Sequence, residues 1–159
     1  MGGETPKKTP YQTALAAVLQ KLDDSGLPWP AKPKDYGEEY NFPSDPTTLT
    51  HQGLAQLRAR LIGWHGYAVR LLAVADMSHD LLAQRLDIAV AMKMDEGKLT
   101  KAQVYAAEPS LLTAEYSRQE RAAYIKGLKA QMGIYKTQAT ALSREQTRRS
   151  DEMKMRMNG

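Results

Sequence analysis

Apolar or small side chains return every three then four residues at Leu54, Leu57, Leu61, Trp64, Ala68, Leu71 and Ala75, and resume at Leu82. A second series passes through Ile125, Leu128, Met132, Tyr135, Ala139 and Leu142 and ends at Met153. This spacing places a narrow apolar seam along one side of each helix, which suits packing of helix on helix rather than a deep enzyme core. The apolar content is carried mainly by Leu, Ala and Met, which favour helix over strand, and phenylalanine occurs once. The expected fold class is therefore all-α: a long antiparallel helical hairpin with a short N-terminal helix and an extended proline/aromatic arm.

Punctuation along the chain sets the boundaries. Residues 1–9 read as disordered. Thr9-Pro10 reads as an N-cap followed by proline at the first helical position. Leu15, Val18, Leu19 and Leu22 form one stripe before Gly26, giving a helix from Pro10 to about Ser25. Pro28, Pro30, Pro33, Pro43 and Pro46 alternate with Trp29, Tyr36, Tyr40 and Phe42, so this stretch is an extended arm lying on its own helices or on a neighbouring subunit. A long helix starts between Asp45 and Thr50 and runs to about Asp95, stopping before Gly97. Gly63 and Gly66 within it predict close approach of another helix. Thr100 caps a short helix through Ala107, and Pro109 or Ser110 opens a last helix reaching about Arg156. At about 1.5 Å per residue, each long helix extends about 70 Å, and their matched length is the argument for the hairpin. The expected division is 1–46 (N-terminal helix and arm) and 47–159 (helical hairpin).

Charge is unevenly placed. The chain has a formal net charge of +4, but residues 118–159 hold ten Lys or Arg against four Asp or Glu, a net +6, leaving −2 for residues 1–117. A basic terminal helix suits a polyanion, or an acidic patch on a neighbouring subunit. Lys129, Lys136 and Arg144 follow one another at seven and eight residues, forming a rough row along the helix, with Arg148, Lys126 and Arg121 also read as lying off the seam. Such a row would track phosphates without reading bases. Arg58, Arg60, Arg70 and Arg85 on the other long helix are more scattered. Tyr135 is expected in the core, whereas Tyr124 is open to either burial or base stacking.

Other chemistry finds little support. Without cysteine there are no disulfides or thiolate sites. No run of 18 apolar residues is present and Met1 to Pro10 lacks the apolar middle of a signal peptide, so a soluble, cytoplasmic protein is expected. Asp76, His79 and Asp80 share a helix face, yet two carboxylates and one imidazole make a poor metal site. An Asp76–His79 hydrogen bond is the simpler expectation. His51 reads as a helix-start residue and His65 as a partly exposed one. Gly97-Lys98-Leu99-Thr100 lacks the upstream glycine and strand of a phosphate loop, so it is a turn. No nucleophile–base set is evident, and the expectation is a non-enzyme with no cofactor and no metal. The Met153–Met157 tail, mixing Met with Lys154 and Arg156, reads as a partner-docking segment or a frayed end.

The layout resembles the UvsY family of phage recombination mediators. The resemblance rests on a long helix containing Trp64, the run Leu82-Ala83-Gln84-Arg85-Leu86-Asp87 near its end, a glycine turn and a second long helix. It covers approximately residues 47–150. It implies a helical homo-oligomer that binds single-stranded DNA and helps to load a RecA-like recombinase against a single-strand-binding protein. The family's run is more basic, and only Arg85 carries over. The expected nucleic-acid-binding residues are thus Arg85, Lys129, Lys136, Arg144 and Arg148. The alternative expectation is a phage virion or assembly protein working through protein–protein contacts, which accounts better for the arm.

Overall fold

The computed structural model describes residues 9–26, 28–34 and 42–158. Among them are four α-helices, a single 3-10 turn over Pro46–Thr48 and no strand, so the protein is all-α. In chain order the helices are α1 (Pro10–Asp24), α2 (His51–Gly97), α3 (Lys101–Ala107) and α4 (Pro109–Met157). Of the disorder expected over residues 1–9, all but Thr9 lies outside the described residues, as does the placement of Tyr36 and Tyr40. α2 and α4 have 47 and 49 residues, close to the matched lengths read from the seams.

The helix ends follow local chemistry. At α1, Thr9 is extended, Pro10 occupies the first turn, and the Thr9 N–H donates to the Gln12 side chain at 2.8 Å. α2 runs two residues further than expected and takes in Gly97. The left-handed residue is Lys98, with φ of 49°. The Leu99 N–H then reaches the Met94 carbonyl at 3.1 Å, and Leu99 and Met94 pack on the same cluster, which makes a Schellman C-cap. Gly97 is required for a steric reason, since a Cβ there would stand 2.9 Å from Leu99 Cγ. Thr100 and Gln103 form a reciprocal capping box at the start of α3.

The described chain falls into two compact units. The first combines the chain up to Pro28 with Leu72–Gly127; the second combines Trp29–Leu71 with the chain from Leu128 onward. In the first unit, Leu86, Val90 and Val104 are buried, with Leu99, Tyr105, Leu111 and Ala114 packed against them. Here Glu115 accepts from Arg118 (2.5 and 2.8 Å), from Gln119 (2.9 Å) and from the Tyr105 hydroxyl (3.4 Å). The Arg118 bonds first, then Gln119, overcome desolvation and hold the Glu115 carboxyl down at about 2. Ser78 fills the seam position between Ala75 and Leu82 and is buried. Opposite it stands Arg121. Arg121, expected off the seam, lies four residues before Ile125 on the same helix face. It is half-buried and donates to Ser78 Oγ and, at 2.7 Å, to the Tyr11 hydroxyl.

The second unit is built on Leu54, Leu61, Trp64 and Leu142, with Phe42, Leu49, Leu57, Tyr135 and Ala139 packed against them. Tyr135 is therefore on the core, as expected, its ring 6.0 Å from that of Trp64. Arg58 meets Gln146 and Trp64 meets Tyr135, so these stretches of α2 and α4 run antiparallel within the unit. The described part of the arm packs on its own chain. Arg70 lies over the Trp29 ring at 5.9 Å and donates to the Pro30 carbonyl at 3.4 Å. Pro33 and Pro30 cover Gly63 and Gly66, where an added Cβ would stand 3.8 and 3.5 Å from the prolines. The element that approaches these glycines is thus the arm and not another helix.

Candidate nucleic-acid interface

The apolar seam of α4 stops earlier than its sequence pattern. After Leu142 the next inward position is Glu145, and Met153, where the series was expected to end, is 53% exposed. Glu145 is buried and satisfied by three hydrogen bonds from two arginines: Arg148 at 2.7 and 2.8 Å and Arg149 at 2.7 Å. The Arg148 bonds first, then those of Arg149, hold its carboxyl at about 2. Arg149 also donates to the Thr47 carbonyl at 2.9 Å, tying the start of α2 to this end of α4. Arg148 is further paired with Glu152, and its pKa is raised by these partners, first among them the Glu145 bonds.

That pairing sorts the cations of the terminal segment. Arg118, Arg148 and Arg149 are held by carboxylates, Lys154 lies 3.8 Å from Asp151, and Arg121 faces inward. Lys129, Lys136 and Arg144 are exposed and have no ion pair among the described residues. Arg85 is also exposed but belongs to the first unit, whereas Lys129, Lys136, Arg144 and Arg148 belong to the second. On α2, Arg60 lies over the Trp64 ring at 5.3 Å and Arg70 over Trp29.

Lys136 and Arg144 border an open groove of about 660 Å³ in the second unit. Its apolar lining comes from Leu61 and Ile62 of α2 and from Tyr135 and Ala139 of α4. Arg58 of α2 completes a cationic rim with Lys136 and Arg144, and the His65 imidazole lies on the same lining. Thr140, Ser143 and Thr147 add hydroxyls along the α4 side, of which Thr140 and Thr147 donate to carbonyls of their own helix and keep lone pairs to accept with. Among the described residues, no carboxylate lines the groove. A smaller depression of about 330 Å³ on α4 is bordered by the same Lys136 and Arg144.

The structure thus brings together two of the five expected residues, leaves Lys129 exposed nearly two turns before Lys136, engages Arg148 with acids, and places Arg85 in the other unit. Arg58, Ile62 and His65 were not singled out for this site. Their signal was present in the sequence: Arg58 and His65 are seven residues apart, flanking the seam residue Leu61, so they share a helix face. The Asp76, His79 and Asp80 set holds no metal-binding geometry among the described residues. His79 Nδ1 lies 3.2 Å from Asp80, not from Asp76. No described helix is long and apolar enough to cross a membrane. No family model, curated protein or solved structure matches the chain.

Proposed function

We propose that this protein is a non-enzymatic accessory factor that binds single-stranded DNA, of the recombination-mediator type, working as a homo-oligomer beside a RecA-like recombinase or a single-strand-binding protein. The observation carrying this reading is the pair Lys136 and Arg144, exposed and bordering one groove, with no acidic partner and no lining carboxylate among the described residues. Arg58 extends the positive rim, and its bond to the neutral Gln146 at 3.0 Å leaves the charge available to phosphate. Lys129 prolongs the row on α4. Arg148 contributes least, because phosphate would have to compete with Glu145 and Glu152 for it. Arg85 marks a separate contact on the first unit.

Oligonucleotide binding across a salt series tests this reading. Each phosphate neutralised on a single strand contributes about 0.7 to the slope of log affinity against log salt. The double variant Lys136→Ala/Arg144→Ala is expected to flatten that slope by about 1.4 and weaken binding to all sequences alike. Absence of binding by the native protein at low salt would remove the proposal.

A second reading, a virion or assembly protein, draws on apolar side chains left outside. Ile62 and Val69 in the second unit, and Ile88 and Met92 in the first, are 39% to 61% exposed. Solution mass measurement with and without DNA separates the two: assembly indifferent to DNA, and recovery of the chain in purified particles, support the second.

A further inference from the structure

Phosphate binding alone has no use for the apolar lining of the α2–α4 groove. Leu61 forms part of its floor and is fully buried, while Ile62 stands 58% exposed beside it. Tyr135 closes one side, its ring fixed against Trp64 at 6.0 Å and so held in place before any ligand arrives. A volume of about 660 Å³ lies within the range of about 300–1,000 Å³ usual for sites that take drug-sized ligands, which are larger than a nucleobase. Lys136 and Arg144 stand two helical turns apart on one wall, about 12 Å along the axis, with Arg58 on the facing helix.

A ligand matching this arrangement is flat and apolar in the middle and anionic on both flanks. Duplex DNA does not fit that description, because its base faces are stacked inside and only its phosphates and groove edges are offered. An unstacked strand does fit: its bases have free faces and its phosphates lie to either side. We infer that the groove takes unstacked bases of a single strand against Ile62, Ala139 and Tyr135 while Lys136, Arg144 and Arg58 hold the flanking phosphates. The inference rests on the DNA-binding reading above and adds the contact that makes single strand preferred over duplex. Thr140 and Ser143 supply hydroxyl acceptors and donors on the wall without selecting one base, so the preference is for strand state and not for sequence.

The test compares three fluorescent ligands of equal length at one salt concentration: a mixed-sequence single strand, its duplex, and a single strand made wholly of abasic sugar-phosphate units. Base contact is expected to tighten the single strand over the abasic one by about fivefold to over a hundredfold per inserted base. Ile62→Ser, at an exposed position that leaves the core intact, is expected to reduce that ratio without changing the salt slope. Equal binding of the abasic and ordinary single strands overturns base insertion while leaving the cationic row in place. Duplex bound as tightly as single strand overturns it as well. Failure of all three ligands at low salt removes the DNA-binding reading, and base insertion with it. Thermal melting of Ile62→Ser confirms that the variant is folded, so that a lost ratio reports on the groove.

Discussion

The guanidinium of Arg121 lies 5.1 Å from the centroid of the Tyr11 ring and donates to that residue's hydroxyl at 2.7 Å, joining α1 to α4 across 110 positions of sequence. Because α1 contains no fully buried residue, this contact has a large share in holding it. Tyr11→Ala is expected to speed amide exchange over Pro10–Asp24 while leaving the slow amides around Leu86 and Leu142 unchanged. Equal loss of protection in all four helices would show α1 to be integral to the whole fold.

Two carboxylates make the protein acid-sensitive. Glu115 and Glu145 are both lowered from an ordinary 4.5 to about 2, chiefly by hydrogen bonds from Arg118 and Arg148 respectively. A depressed carboxyl contributes stability that is fully present above its unfolded value and is lost as pH falls towards the folded one. Stability is therefore expected to fall between pH 4.5 and about 2, and to be flat above pH 6 as far as these groups are concerned. Chemical denaturation at a series of pH values checks this. The double variant Glu115→Gln/Glu145→Gln should be less stable at neutral pH and show a shallower acid limb.

Glycines separate by their surroundings. Around Gly127 and Gly133 in α4 an added Cβ meets nothing within 4 Å, so alanine gains helix propensity without a clash. Each substitution is expected to raise stability by about 0.5–1 kcal/mol. Gly97→Ala should do the reverse, since Leu99 stands in the way. Lys98→Gly should stabilise by about 0.5–1 kcal/mol, because Lys98 holds a left-handed conformation that glycine adopts at little cost. Denaturant midpoints with unchanged m-values would establish all four.

The two ends of the α4 apolar series should differ sharply. Leu142 is fully buried among Leu54, Leu61 and Trp64, and Leu142→Ala is expected to cost about 2–5 kcal/mol. Met153→Ala removes a side chain that is already half in solvent and should change stability by less than about 0.5 kcal/mol. A large loss from Met153→Ala would mean that the C-terminal turns of α4 have a partner surface within the isolated protein.

Periodicity alone located the long helices, because a buried stripe at helical spacing leaves a repeat that any reader can count. Caps at Thr9 and Thr100 were equally legible, since each is a short-range exchange of side-chain for backbone hydrogen bonds. Polar residues on the seam were not. Ser78, Arg121 and Glu145 occupy inward positions, but burial of a hydroxyl, a guanidinium or a carboxylate depends on which segment packs over it. The arginines that pair with Glu145 stand three and four residues after it and are visible in the sequence; what the sequence does not show is that Arg149 also reaches the Thr47 carbonyl, closing the start of α2 on this end of α4.

The amino-acid sequence by itself determined the all-α class, the span of each helix and the concentration of positive charge towards the C-terminus, because these follow from local propensity, period and count. Only the tertiary structure decided which cations remain available and where they converge. Arg148 looks like Lys136 and Arg144 in sequence, yet it faces two carboxylates while they face an open groove. The acids that hold Arg148 lie three residues before and four after it on α4, so that pairing is local, whereas the groove is walled by α2 and α4, which are distant in the chain and are brought together by packing.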